Sequence, residues 1–104
     1  MTRDALQTWL WELERTTKWD FVALQEVGGV RADHQAEWTW FLGHGLFTAS
    51  NTTGTVTGIL VHRRWLTSIR KHHYDNRMVE LDCEISGQKL RIHSVHWRGG
   101  RSQE

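Results

Sequence analysis

Glu26 ends the run Trp19-Asp20-Phe21-Val22-Ala23-Leu24-Gln25-Glu26 and is followed by Val27. A carboxylate just past the C-terminal end of a buried strand lies where α/β sheets hold their ligands. Its hard oxygen suits a hard cation, because Mg²⁺ takes one or two protein carboxylates and completes its shell with water and substrate phosphate oxygens. Gln25, the preceding residue, has an amide that can orient such a ligand through an outer hydrogen bond. A glutamate after a strand is most often a solvated loop residue, so position alone does not carry the chemistry. The surrounding sequence has to.

The other chemistry-bearing residues read more plainly. His93 and His96 stand three apart on a strand-like segment and diverge, as do the adjacent His72 and His73. Cys83 is the only cysteine, so neither an internal disulfide nor a zinc finger can form, and a structural zinc site is not expected. Cys83 reads as a small buried hydrophobe. Of the 7 tryptophans, Trp9 lies on the apolar stripe of a helix and reads as core, while Trp11 is on another face. Trp19 and Trp65 flank strands as packing residues. Trp38 and Trp40 follow the Glu26 segment, where rings can stack on bases, although packing is the commoner role. Trp97 also reads as packing. Arg63-Arg64 and Arg70-Lys71-His72-His73 read first as a solvated strand end and turn, and second as a contact to a phosphate backbone.

Patterning supplies the elements that must position these residues. Leu6, Trp9, Leu10 and Leu13 recur at helical spacing, with Thr2 or Asp4 as the cap and an end near Thr16-Thr17. Phe21–Leu24 is an apolar run without alternation, which reads as a strand buried on both faces. A short helix is expected from Asp33 to Phe41, capped by Asp33 and ended by Gly43 and Gly45. Strands are expected at Leu46–Ser50 and Thr55–His62 around a hairpin loop, and at Leu66–Lys71. Val79, Leu81, Cys83 and Ile85 alternate with Glu80, Asp82 and Glu84, a half-buried antiparallel strand. Ser86-Gly87 turns the chain into a return strand through Leu90, Ile92, Ser94 and His96. The order is that of an α/β chain: helix, buried strand, short helix, then antiparallel strands.

Three segments, in this order, resemble the endonuclease/exonuclease/phosphatase superfamily. Asp-Phe-Val-Ala-Leu-Gln-Glu-Val is similar to the signature of its second strand, which ends in Gln-Glu. Thr57-Gly58-Ile59-Leu60-Val61-His62-Arg63-Arg64-Trp65 looks like its central strand. Arg77–Leu81 through Leu90–His96 looks like the hairpin bearing its active-site His or Tyr. The superfamily includes apurinic endonucleases, pancreatic-type deoxyribonucleases and the endonuclease domains of non-LTR retroelements. The resemblance covers the chain from the first helix to His96. It implies a partial α/β sandwich, with Glu26 as a Mg²⁺ (or Mn²⁺) ligand supported by Gln25. His96 would contact the scissile phosphate and Arg77 would bind phosphate. The implied reaction is in-line hydrolysis of a nucleic-acid phosphodiester, here DNA, with the metal stabilising the leaving oxyanion.

The departures from the family are as informative. Its first-strand Asn, its Asp-x-Asn strand end and its terminal Asp-His pair have no counterpart in these 104 residues. Residues 1–104 therefore read as a single incomplete domain that lacks the first strand and the C-terminal half. Removing one member of a catalytic constellation commonly costs orders of magnitude, so activity of the chain alone is not expected. Two alternatives are a non-catalytic nucleic-acid-binding or interaction module and a phosphatase of the same superfamily.

Composition bounds the rest. The formal net charge is +1, so nucleic-acid contact has to come from local clusters. No apolar run reaches membrane-spanning length and the first residues do not read as a signal peptide, which makes an intracellular setting, nuclear or cytoplasmic, the expectation. A half-domain sheet is expected to expose Val61, Val79, Leu81 and Ile85 and to favour self-association.

Overall fold

The computed structural model describes residues 2–28, 35–50 and 55–95. The chain opens with helix α1, Arg3–Thr16, whose N-cap Thr2 accepts a hydrogen bond from the Ala5 amide at 3.1 Å. Among the described residues seven strands follow: β1 Phe21–Gly28, β2 Ala36–Phe41, β3 His44–Thr48, β4 Thr55–Val61, β5 Ile69–Tyr74, β6 Met78–Ile85 and β7 Gln88–Val95. A 3₁₀ helix, Arg63–Ser68, links β4 to β5. The strands form two antiparallel sheets, one in the order β1-β4-β3-β2 and one in the order β5-β6-β7.

Register shows what covers each face. Phe47 pairs with Ile59 and Leu46 with Leu60, so each pair shares a face. Thr57 lies on the Ile59 face and meets Ser94 of β7, while the Phe47 ring meets His72 of β5 at 5.3 Å. That face packs on the three-stranded sheet. The opposite face carries His44, Leu46, Leu60 and His62 and meets α1, where Glu14 lies 3.2 Å from both imidazoles. The layers are therefore helix, four-stranded sheet and three-stranded sheet. Leu6, Leu10, Leu46, Phe47, Ile59, Leu60, Val79 and Leu81 belong to one buried cluster.

Several expectations change. The stretch expected to be a helix to Phe41 forms β2 over 36–41; Asp33 lies outside the described residues. Trp38, Thr39, Trp40 and Phe41 favour a pleated surface. Leu42 (φ 53°) and Gly43 (φ 81°) then make a two-residue turn that pairs Phe41 with His44. Gly45, expected to end a helix, lies inside β3, where a Cβ would come within 2.6 Å of Leu66 Cδ2. β1 is an edge strand of an antiparallel sheet, and Ala23 is exposed, so it is not buried on both faces. Leu66–Ser68 are part of the 3₁₀ helix, and β5 begins only at Ile69. Val61, Val79 and Leu81 are buried between the sheets instead of exposed.

Trp9 is also displaced from its expected place. It is 37% exposed. On a wheel of about 100° per residue, Trp9 stands about 60° to one side of Leu6 and Arg3 about 60° to the other. The helix turns its Arg3 side to the sheet, where Arg3 bonds Glu37 at 2.6 Å and lies over the Trp40 ring. Trp9 is left at the margin.

Phe47→Ala should lower stability by about 3–5 kcal/mol, since the ring is fully buried at the junction of the two sheets. The midpoint of urea denaturation measures it. A loss under 1 kcal/mol (about one mispacked methylene) would contradict this packing.

Candidate active site at one end of the sandwich

The bulge in β1 follows from two apolar residues at an awkward spacing. Leu24 and Val27 are three apart, so simple alternation would send them to opposite faces, yet both are buried. Leu24 pairs with Gly58 and Val27 with Val56, so β1 holds one extra residue between these pairs. The strain falls on Glu26, whose φ of 56° lies in the left-handed region. For a non-glycine residue this conformation costs on the order of 1–2 kcal/mol. Glu26 is thus not past the end of its strand, as expected, but at an exposed kink within it.

Gln25 anchors the other half of the kink. Its Nε2 donates toward Thr57 Oγ1 at 3.1 Å, Ser94 Oγ at 3.2 Å and the Val95 carbonyl at 3.4 Å. Thr57 and Ser94 are buried, one from each sheet, and their hydroxyls lie 2.6 Å apart. The Thr57 hydroxyl also reaches the Leu24 carbonyl at 2.9 Å. Buried hydroxyls have to find partners inside the protein, and here they find each other and the backbone of the bulge.

This bridge gathers most of the expected site at one end of the sandwich. Val95 is the last residue of β7 and pairs with Met78, the first of β6. Arg77 immediately precedes Met78, in a turn where its amide donates to Asp75 Oδ1 at 2.8 Å. Glu26, Arg77 and the end of β7 therefore share this end. His96 follows Val95 in sequence but lies outside the described residues, as does Trp97. Glu26 joins neither of two clusters in which three His, Asp or Glu side chains hold ligand atoms within 4.8 Å of one another.

The first of those clusters, Glu14–His44–His62, escaped the sequence reading; its only sequence trace is a glutamate beside the apolar stripe of the helix. His44 is fully buried and His62 nearly so. His44 Nδ1 accepts from the Arg63 amide at 3.0 Å, and His62 Nδ1 from the Arg64 amide at 3.2 Å. A neutral ring whose Nδ1 accepts carries its hydrogen on Nε2. Both Nε2 atoms lie 3.2 Å from Glu14 Oε1 and donate to it, joined by Trp19 Nε1 at 2.9 Å. Arg63 reaches Glu14 Oε2 at 3.2 Å. A metal ligand instead donates its second ring N–H to a carboxylate or carbonyl. Here backbone amides occupy that position, so the cluster fits a hydrogen-bonded latch and not a metal centre.

Burial pushes both imidazoles below their ordinary range; the Glu14 charge opposes this, and arginine charges add to it. Burial alone would raise the Glu14 carboxyl, but the Trp19 hydrogen bond, His44 and Arg63 overcome it and hold the group low. The basic stretch is largely committed to the fold. Arg63 pairs with Glu14, Arg64 with Asp20 at 2.9 Å, and Arg70 lies 3.7 Å from Glu84. Trp19 is buried and Trp65 bonds Asp20 at 2.8 Å, both as packing residues, whereas Trp11 and Trp38 are exposed. Cys83 is buried, and burial pushes its thiol up. No helix among the described residues is long and apolar enough to cross a membrane.

Compared with models of protein families, with curated proteins and with solved structures, the chain matches none.

Acid should weaken the latch. The unfolded chain protonates its histidines near pH 6.5, while the folded rings resist protonation, so the unfolded state binds more protons below that pH. Stability is therefore present above about pH 6.5 and falls as pH falls, with Glu14 adding its loss further down. Urea midpoints measured from neutral to mildly acidic pH should decline, and His62→Gln should flatten the decline. An equally steep profile in that variant would show that His62 does not take part.

Proposed function

We propose that this chain is part of a magnesium-dependent phosphodiesterase domain of the endonuclease/exonuclease/phosphatase type, ancestrally hydrolysing DNA and not catalytic by itself. The observation that carries this reading is the bridge from Gln25 to Thr57, Ser94 and the Val95 carbonyl. It holds the strained Glu26 beside the strand that leads into His96, with Arg77 at the same end. Backbone strain of this kind clusters at functional sites. In this reading Glu26 would supply the carboxylate to Mg²⁺, Arg77 and His96 would meet the phosphate, and the metal would supply charge stabilisation at the leaving oxygen. Gln25 would fix the backbone angle from which Glu26 reaches the metal.

Mn²⁺ replaces Mg²⁺ in oxygen sites and broadens nearby amide resonances. Titrating Mn²⁺ into the chain should broaden residues 24–28 and 94–95 first, and Glu26→Gln should abolish the effect. No broadening at residues 24–28, or broadening there unchanged in the variant, would remove the basis for a metal at Glu26. In parallel, supercoiled plasmid with Mg²⁺ should show no nicking above an EDTA control. Nicking lost in both EDTA and Glu26→Ala would mean that the chain completes a catalytic site.

A further inference from the structure

We propose that the outer face of the β5–β6–β7 sheet binds a divalent cation of the zinc class, held by His73, Glu80 and Asp82, with His93 as the fourth ligand. This is independent of the phosphodiesterase reading, because the site lies on the opposite face of the sheet from Ser94 and uses none of the residues near Glu26. The register places Glu80 directly between His73 on β5 and His93 on β7, and Asp82 directly between Lys71 and Arg91 in the adjacent row. Directly opposed residues share a face, and their Cβ atoms stand about 5 Å apart. Sequence neighbours among the histidines diverge, but the hydrogen-bonding of three strands brings His73 and His93 to either side of one carboxylate.

The separations favour a shared cation. The ligand atoms of His73, Glu80 and Asp82 lie within 4.8 Å of one another. His73 Nε2 is 3.5 Å from Asp82 Oδ2, and His93 Nδ1 is 3.5 Å from Glu80 Oε2. That is at the outer limit of a hydrogen bond. It is close to the spacing of about 3.4 Å between ligand atoms of a tetrahedral centre with bonds of about 2.1 Å. Arg91 takes the other carboxylate oxygens, with its Nε 2.8 Å from Asp82 Oδ1 and 3.6 Å from Glu80 Oε1. Its second contact to Asp82, at 3.4 Å from Oδ2, is the weaker. The arginine thereby orients Asp82 toward His73, the part that hydrogen-bonded outer groups play around metal ligands, while its contact with Glu80 is an ion pair beyond hydrogen-bond reach. Glu80 is only 17% exposed in its side chain, while both rings are about half exposed and can turn onto an ion.

Two imidazoles with two carboxylates match zinc better than magnesium or calcium, which prefer all-oxygen shells. The Glu14–His44–His62 group has similar residue types, but its ring nitrogens are already used by backbone amides. The sheet-face histidines face carboxylates instead. An ion there would join three strands at the face away from the sandwich core.

The test is a titration of Zn²⁺ into the full 104-residue chain, following the histidine ring resonances. One ion should bind per chain, with His73 and His93 shifting together and first. His73→Ala and His93→Ala should each weaken zinc binding about tenfold or more, without changing Tm in zinc-free buffer. Zinc should raise Tm for the unaltered chain and not for the double variant. Shifts confined to His44 and His62, no binding at millimolar zinc, or a double variant that binds as tightly as the original would each overturn the proposal.

Discussion

Strand β4 has protein on every side. β1 and β3 take its hydrogen bonds, β6 and β7 cover one of its faces, and on the other Leu60 is buried in the cluster that includes Leu6 and Leu10 of α1. A strand so enclosed admits apolar side chains, a glycine where another backbone comes close, or polar groups that find their partners inside. Val-Thr-Gly-Ile-Leu-Val, residues 56–61, meets these terms. Gly58 sits where a Cβ would lie 3.2 Å from the Phe47 carbonyl. Thr57 is buried, and its hydroxyl joins the two sheets and the bulge of β1. The position of Glu26 is thus set jointly by the burial of Leu24 and Val27 on one face and by the way the centre of the sheet satisfies one hydroxyl.

The helix is attached by different physics. Its apolar stripe supplies Leu6 and Leu10, but its rotation about its own axis is set by two charged residues, Arg3 and Glu14. Glu14 accepts from two imidazoles, an indole and a guanidinium. A carboxylate with so many donors tolerates partial burial. Because the donors come from β3, from the residue after β4, from the segment before β1 and from the 3₁₀ helix, a single side chain ties together four parts of the chain.

What could be read from the sequence was mainly local. The first helix, capped at Thr2 from the two candidates Thr2 and Asp4, the alternation of Val79, Leu81 and Cys83, and the Ser86-Gly87 turn all depend on residues within a few positions of one another. β2 departs from the expected helix because the strand preference of Trp-Thr-Trp-Phe prevails over helix-ending signals at Gly43 and Gly45. Trp9 stays partly exposed because Arg3 and Glu14 are pulled toward their partners, which a helical wheel of apolar residues does not count. The bulge has a sequence trace in the spacing of Leu24 and Val27, but that trace appears only once both are known to be buried on one face. The histidine latch and the sheet-face cluster were not legible, because register between strands distant in sequence creates both.

The two sheets also differ in how much chain has to be closed to build them. β6 and β7 pair over eight residues on each side of a two-residue turn at Ser86 (φ 52°) and Gly87 (φ 78°). Such a hairpin forms on a timescale of about 1–10 μs, with little loop entropy to overcome. β1 meets β4 only after the intervening residues 29–54 have been brought round, and Gln25 meets Ser94 across most of the chain. Non-local pairings of this kind come late in folding and open early. The kink at Glu26 thus rests on pairings that close most of the described chain, whereas the β6–β7 hairpin closes a two-residue turn.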